Sequence, residues 1–238
     1  MLRIDLWRHG LTSVPEWVWD ATDVEWLNLA ENRLRSVSPR LGRLASLRML
    51  DLGHNELSVI PEAIGELGQL DHYLYLSDNQ FAELPDWIGA LTRLRYLNVT
   101  DNELMALPEA IGSMASLREL RLYRNRLTRL PDALGQLSAL RELYLEDNAL
   151  TELPATIGSL GALRELSVRN NHLASLPPTL ASLPRLRSLD LRNNRLQQAP
   201  DWLVELPQLE KLDLRWNPLR ASPMWIDELE ASGCAVLL

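Results

Sequence analysis

The residues able to do covalent or metal chemistry are few and scattered. Cys234 is the only cysteine. It follows Gly233 and precedes Ala235, Val236 and Leu237, the setting of a small buried apolar residue rather than a nucleophile. His54 and Asp78 could face each other across neighbouring segments, but two ligands do not complete a zinc or iron site. No glycine loop able to cradle phosphate and no nucleophile–base pair emerges from the spacing. A catalytic centre, a metal site and a cofactor are therefore not expected. Recognition chemistry is better represented. The five tyrosines, Tyr73, Tyr75, Tyr96, Tyr123 and Tyr144, each offer a large ring and one polar handle. The 24 basic residues are all arginine except Lys211.

What positions these side chains is a beat of asparagines: Asn32, Asn55, Asn79, Asn102, Asn125, Asn148, Asn171, Asn194 and Asn217. The steps are 23 residues, with one of 24 between Asn55 and Asn79, and a further step back from Asn32 lands on His9. A fixed period of this length predicts a solenoid. Around Asn148, Leu143 and Leu145 alternate with Glu142, Tyr144 and Glu146, which predicts a short strand with leucines inward. The asparagine amide can satisfy backbone groups of its own turn and of the adjacent repeat, so the series is expected to form a structural ladder. Prolines recur at Pro15, Pro61, Pro85, Pro108, Pro131, Pro154, Pro177, Pro200 and Pro223, with Ser38 and Pro39 in the odd repeat. They predict a short helical turn just after each. Gly42, Gly65, Gly89, Gly112, Gly135 and Gly158 are expected to end that turn, as glycine does past a helix. The strands must then pair in parallel, about 4.8 Å apart, and bend into an arc.

The register places three columns on the open face of the sheet, six, four and two residues before each asparagine. All five tyrosines fall in them, although they hold 30 of the 238 positions. Tyr73, Tyr75, Tyr96, Tyr123 and Tyr144, with Trp7, Trp26 and Arg121, are the candidate partner-binding patch. Arg169, Arg192 and Arg215 form a second column beside Asp190 and Asp213. They read either as cross-strand ion pairs of little worth or as a site for an acidic partner segment. Asp78, Asp101 and Asp147, one place before the ladder, suit turns. Trp17, Trp87, Trp202 and Trp225 stand two residues after a proline and are expected to pack over the outer turns. Trp7, Trp17, Trp19 and Trp26 make the first repeats aromatic, either as exposed surface for a partner or dimer or as packing. The extra residue within Asp71–His72–Tyr73 is expected to bulge the strand there.

The frame LxxLxLxxNxLxxLPxxIGxL, running through ten repeats and essentially the whole chain, resembles the leucine-rich repeat family in its 23-residue intracellular and bacterial form. The resemblance implies an α/β fold: a right-handed horseshoe solenoid with a parallel concave sheet and short helical or 3-10 turns on the convex side. It also implies protein or peptide binding on the concave face. One domain is expected over 1–238, closed by a cap at about 224–238 that follows Ser222 and Pro223. The principal expectation is a non-enzymatic interaction module. The alternatives are the targeting arm of a bacterial ubiquitin-ligase effector whose catalytic domain is absent here, and a protein that self-associates as a homodimer through an uncapped first strand near Ile4–Leu6. A formal charge of −8 argues against nucleic-acid or anionic-membrane partners. The single cysteine and the absence of an apolar leader predict a cytoplasmic setting, or a secreted effector acting in a host cytoplasm.

Overall fold

Each of the first nine repeats contributes one three- to five-residue strand and one five-residue 3-10 turn. The computed structural model describes residues 2–220 and 224–238, so Ser222 and Pro223 lie outside the described residues. The strands are β1 (Leu2–Asp5), β2 (Val24–Asn28), β3 (Met49–Asp51), β4 (Tyr73–Tyr75), β5 (Tyr96–Asn98), β6 (Glu119–Arg121), β7 (Glu142–Tyr144), β8 (Glu165–Ser167), β9 (Ser188–Asp190), β10 (Lys211–Asp213) and β11 (Ala235–Leu237). They pair in chain order as a single parallel sheet. The inward leucines of the strands and of the turns behind them merge into one continuous core. A lone repeat could not bury them, and stacking does. After the last repeat, α1 (Ile226–Ala231) folds back so that Trp225, Leu229 and Cys234 join that core. Burial pushes the Cys234 thiol up, away from thiolate chemistry.

The asparagines form the expected ladder, and its hydrogen bonds are shared between repeats. Asn148 Nδ2 donates to Leu122 O at 3.0 Å, to Leu145 O at 3.0 Å and to Glu146 O at 3.2 Å, while its Oδ1 accepts Leu127 N–H at 2.9 Å. Leu122 O also accepts from Asn125, so each such carbonyl uses both lone pairs on successive rungs. The residue before each rung lies in the left-handed region, with φ between 50° and 62° from Arg8 to Trp216. Asp78, Asp101, Asp147, Asn170 and Asn193 tolerate that conformation better than most side chains, which accounts for them without a ligand. His9 does not replace the missing rung. It is exposed, and its Nδ1 reaches only Trp7 O, at 2.8 Å.

Two expectations about the turns and the insertion are corrected. The repeated glycine does not end the helical turn; it is the turn's fourth residue, as in Glu109–Ser113, which closes on the Met114 N–H to Ile111 O bond. At Gly89, Gly112, Gly135 and Gly158 glycine is required by backbone of the next repeat. A β-carbon on Gly112 would stand 2.5 Å from Ala133 O and 2.9 Å from Ala133 Cβ. The extra residue near Asp71 does not bulge a strand either. Met49 pairs with Tyr73 and Tyr73 with Tyr96 in unbroken register. The insertion is absorbed just before β4, because a slip inside the strand would turn Leu74 out of the core. Among the described residues, the register irregularity in the sheet lies at Leu2/Arg3.

Candidate functional site

The pleat sends Leu74, Leu97, Leu120 and Leu143 into the core and their neighbours onto the opposite face. Across that face Trp26, Met49, Tyr73 and Tyr96 stand in register on β2 to β5, followed by Glu119, Glu142 and Glu165 on β6 to β8. An aromatic stripe therefore abuts an acidic one. Tyr73, Tyr75 and Tyr96 form one cluster, with ring centroids 5.0–5.9 Å apart. Arg121 knits it to the next strands: its guanidinium lies 5.5 Å from the Tyr96 ring and 5.2 Å from the Tyr144 ring, and Nε donates to Glu119 Oε1 at 2.6 Å. The Tyr144 hydroxyl sits between Glu165, at 2.8 Å, and Glu142, at 3.0 Å. Burial and then Glu165 hold that phenol well above its usual range, so it stays protonated.

The sheet face thus carries the predicted tyrosines, with one correction. Tyr96 is 8 % exposed, covered by its neighbours on the face rather than sunk among the leucines, and so is not available for contact. Tyr73 is exposed, and Tyr75, Tyr123 and Tyr144 are half-buried. At the N-terminal end Trp7 is exposed, under the Arg8 guanidinium at 4.8 Å, and Trp26 is half-buried beside Arg3. The small residues Ala30 and Ser77 leave a depression between Trp7 and Tyr75. Trp19 does not add to this surface, because it is fully buried in the core. Of the tryptophans expected over the outer turns, Trp87, Trp202 and Trp225 pack against the core, while Trp17 is exposed.

The arginine column is already engaged. Arg192 and Arg215 make two-point contacts with Asp190 and Asp213, Arg192 also reaches Asp213 at 3.3 Å, and Arg169 stands 3.9 Å from Asp147. Asp213 is buried, and the neighbouring guanidiniums keep it ionised, its pKa lowered in spite of that burial. Asp5, Asn28, Asp51, Asn98, Asp190 and Asp213 also accept the backbone N–H two residues on, which makes the four-back position a strand-ending device.

The inserted segment supplies a group that spacing alone did not assign. Asp71 is buried and takes Arg48 Nε and Nη2, both at 2.9 Å, while His72 Nδ1 lies 2.5 Å from Oδ1. The ionised carboxylate only accepts, so Nδ1 carries the proton and Nε2 is left for other partners. Arg48, followed by His72, holds the Asp71 carboxyl down to about 2 from 3.8. A depressed folded-state pKa stabilises the fold above the unfolded value, and that contribution disappears as pH falls from about 4 to about 2, amounting to about 2 kcal/mol. The stability gap between the native chain and an Asp71→Asn variant is thus expected to shrink by about that amount over this range, measured by urea unfolding at successive pH values. A gap independent of pH would contradict this.

A second unassigned feature is a row of arginines seven places before the rungs. Arg95, Arg118, Arg141 and Arg164 are exposed at the entries to β5 through β8. His72 holds the equivalent place before β4. A pocket at the start of these strands is lined by His72, Tyr73, Arg95, Tyr96, Arg118 and Glu119. Counting back seven instead of six would have shown the row in the sequence.

The family model described as "Leucine-rich repeat region" matches residues 27–146, and a second, "Leucine rich repeat", matches 161–219. The chain is 35 % identical over 94 residues to the human volume-regulated anion channel subunit LRRC8E, matching 39 % of this chain and 12 % of that protein. The chain therefore spans a small fraction of that relative. A leucine-rich repeat protein of Leptospira interrogans superposes with a TM-score of 0.63 at 28 % identity, covering 100 % of this chain and 72 % of that one. The ectodomain of the Arabidopsis thaliana membrane receptor kinase GASSHO1/SCHENGEN3, in complex with CASPARIAN STRIP INTEGRITY FACTOR 2, superposes with a TM-score of 0.81 at 31 % identity, covering 92 % and 27 % of the two chains.

Proposed function

We propose, from the premise that this chain belongs to the leucine-rich repeat family, that it is a protein-binding module whose partner docks on the exposed face of the sheet, over Tyr73, Tyr75, Tyr123 and Tyr144. The carrying observation is the placement of every tyrosine on that face, none of them in the core, which is mostly leucine with Trp19, Phe81 and Trp225 as its large rings. Tyrosine provides contact area at low entropic cost, and the Tyr73–Tyr75–Tyr96 cluster under Arg121 is ordered before any partner arrives. The plant ectodomain of similar fold, which holds a partner, supports the same reading. Among the described residues, no group of three or more His, Cys, Asp or Glu side chains is placed to hold a metal ion.

Capture from a lysate supplies candidate partners, and binding of a purified candidate tests the site. A Tyr73→Ala/Tyr123→Ala variant is expected to bind at least about tenfold more weakly, a loss of about 1.4 kcal/mol, with its melting transition unchanged. These two positions are chosen because neither ring is buried. Unchanged affinity would exclude this face as the contact.

A further inference from the structure

We propose that the pocket formed by His72, Tyr73, Arg95, Tyr96 and Arg118 receives an oxyanion carried by a side chain of the partner, a carboxylate or a phosphoryl group. The partner's adjoining acidic residues then follow Arg141 and Arg164 along the rim of the sheet. This deepens the docking reading above and rests on it.

The row is regular because the backbone makes it so. Arg118 N–H donates to Arg95 O, Arg141 N–H to Arg118 O and Arg164 N–H to Arg141 O, at 2.7–2.8 Å, so the four side chains leave equivalent points about 4.8 Å apart. Their equivalents are neutralised at both ends: Arg48 by Asp71, and Arg187 by Glu210 at 3.3 Å. Among the described residues, Arg95, Arg118, Arg141 and Arg164 have no side-chain hydrogen bond and no ion pair. They remain unpaired on a chain whose net charge is −8, where carboxylates are in excess.

The surroundings favour an anion. On the loop side the row is flanked by Arg93, which reaches Asp71 at 4.0 Å. On the sheet side Glu119 lines the pocket but is bound by Arg121, and Glu142 and Glu165 flank the Tyr144 hydroxyl. His72 is fixed by its Nδ1 contact with the buried Asp71, which leaves Nε2 available to the pocket it lines. Two guanidinium forks, the His72 imidazole and the exposed Tyr73 phenol, against a wall formed by Tyr96, make a donor set suited to a planar carboxylate or a tetrahedral phosphoryl group.

The test uses three fluorescein-labelled octapeptides of one sequence, carrying glutamate, phosphotyrosine or glutamine at the variable positions, titrated into the full chain by fluorescence anisotropy. At least one anionic peptide is expected to bind tenfold or more tightly than the glutamine peptide. That preference is expected to disappear in Arg95→Glu/Arg118→Glu and to fall in Arg95→Gln/Arg118→Gln, with melting temperatures retained. The tighter of the two anionic peptides identifies the source of the oxyanion. Equal binding of all three peptides, or a preference that survives both variants, overturns the proposal. With a purified partner, loss of affinity in Tyr73→Ala/Tyr123→Ala but not in Arg95→Glu/Arg118→Glu overturns the anion pocket and leaves the docking face standing. Loss in neither overturns both.

Discussion

Replacing Asn148 with alanine is expected to lower the free energy of unfolding by about 3 kcal/mol. The change removes an amide whose two N–H groups serve three carbonyls and whose oxygen accepts one bond, from a side chain buried between repeats. The losses are not equivalent. Leu122 O keeps Asn125, Leu145 O keeps Asn171 and Glu146 O keeps Arg124 N–H. Leu127 N–H has no second partner, so a buried donor is left unpaired. For a chain of this size the melting temperature should fall by about 6–12 °C. Aspartate at the same place should be worse than alanine, because a carboxylate cannot donate to three carbonyls and its charge would be buried. His9 provides the internal comparison. It stands at the same register but is exposed, with its one contact to Trp7 O. His9→Ala should cost less than about 1 kcal/mol. Similar losses for Asn148→Ala and His9→Ala in thermal or urea unfolding would show that the ladder does not hold the repeats together.

Alanine in place of glycine should act in opposite directions at two positions. At Gly112 a β-carbon would meet Ala133 O at 2.5 Å and Ala133 Cβ at 2.9 Å, and the first of these is backbone that side-chain rotation cannot move. Relieving that contact means prising apart the turns Glu109–Ser113 and Asp132–Gln136, which pack directly on each other. Gly112→Ala should therefore destabilise the fold by about 2–3 kcal/mol. At Gly161 nothing lies within 4 Å of the added carbon, and the backbone is not in the left-handed region. Gly161→Ala should stabilise by about 0.4–1 kcal/mol, because alanine has fewer conformations to lose on folding. Calorimetry on the two single variants checks both signs. A gain at Gly112 would mean that the two turns can part to admit a methyl group without loss of packing.

The repeat was legible residue by residue because its signals are local. The leucine alternation around Leu143 and Leu145, the asparagine after it and the proline beyond each act within their own 23 residues, and stacking only repeats the outcome. The tyrosines could be assigned to one face for the same reason, since alternation along a strand decides which side each residue takes. Neighbouring chains of similar fold extend that agreement from the repeat to the whole solenoid.

Local signals did not reach the features that depend on what the next repeat places opposite. The reason for Gly112 lies in Ala133, and the burial of Tyr96 lies in Tyr73, Tyr75 and Arg121. The insertion at Asp71 could be counted from the sequence, but its destination could not. Core leucines on both sides hold the strand register, so the surplus residue was expelled into the preceding loop, where its carboxylate met Arg48. The same holds for charge. Arg95 and Arg192 are both arginines at repeat-determined surface places, yet Arg192 is locked to Asp190 while Arg95 has no side-chain partner.

By itself, then, the order of residues determined the period, the inward leucines, the amide ladder and the side of the sheet on which the phenols stand, because each follows from chain geometry over a few residues. Tertiary structure alone decided which of those phenols meets solvent, why a glycine sits inside the turn at Gly112, and which arginines keep a free charge. These depend on distances between segments 20 or more residues apart, where packing and pairing, not local preference, set the free energy.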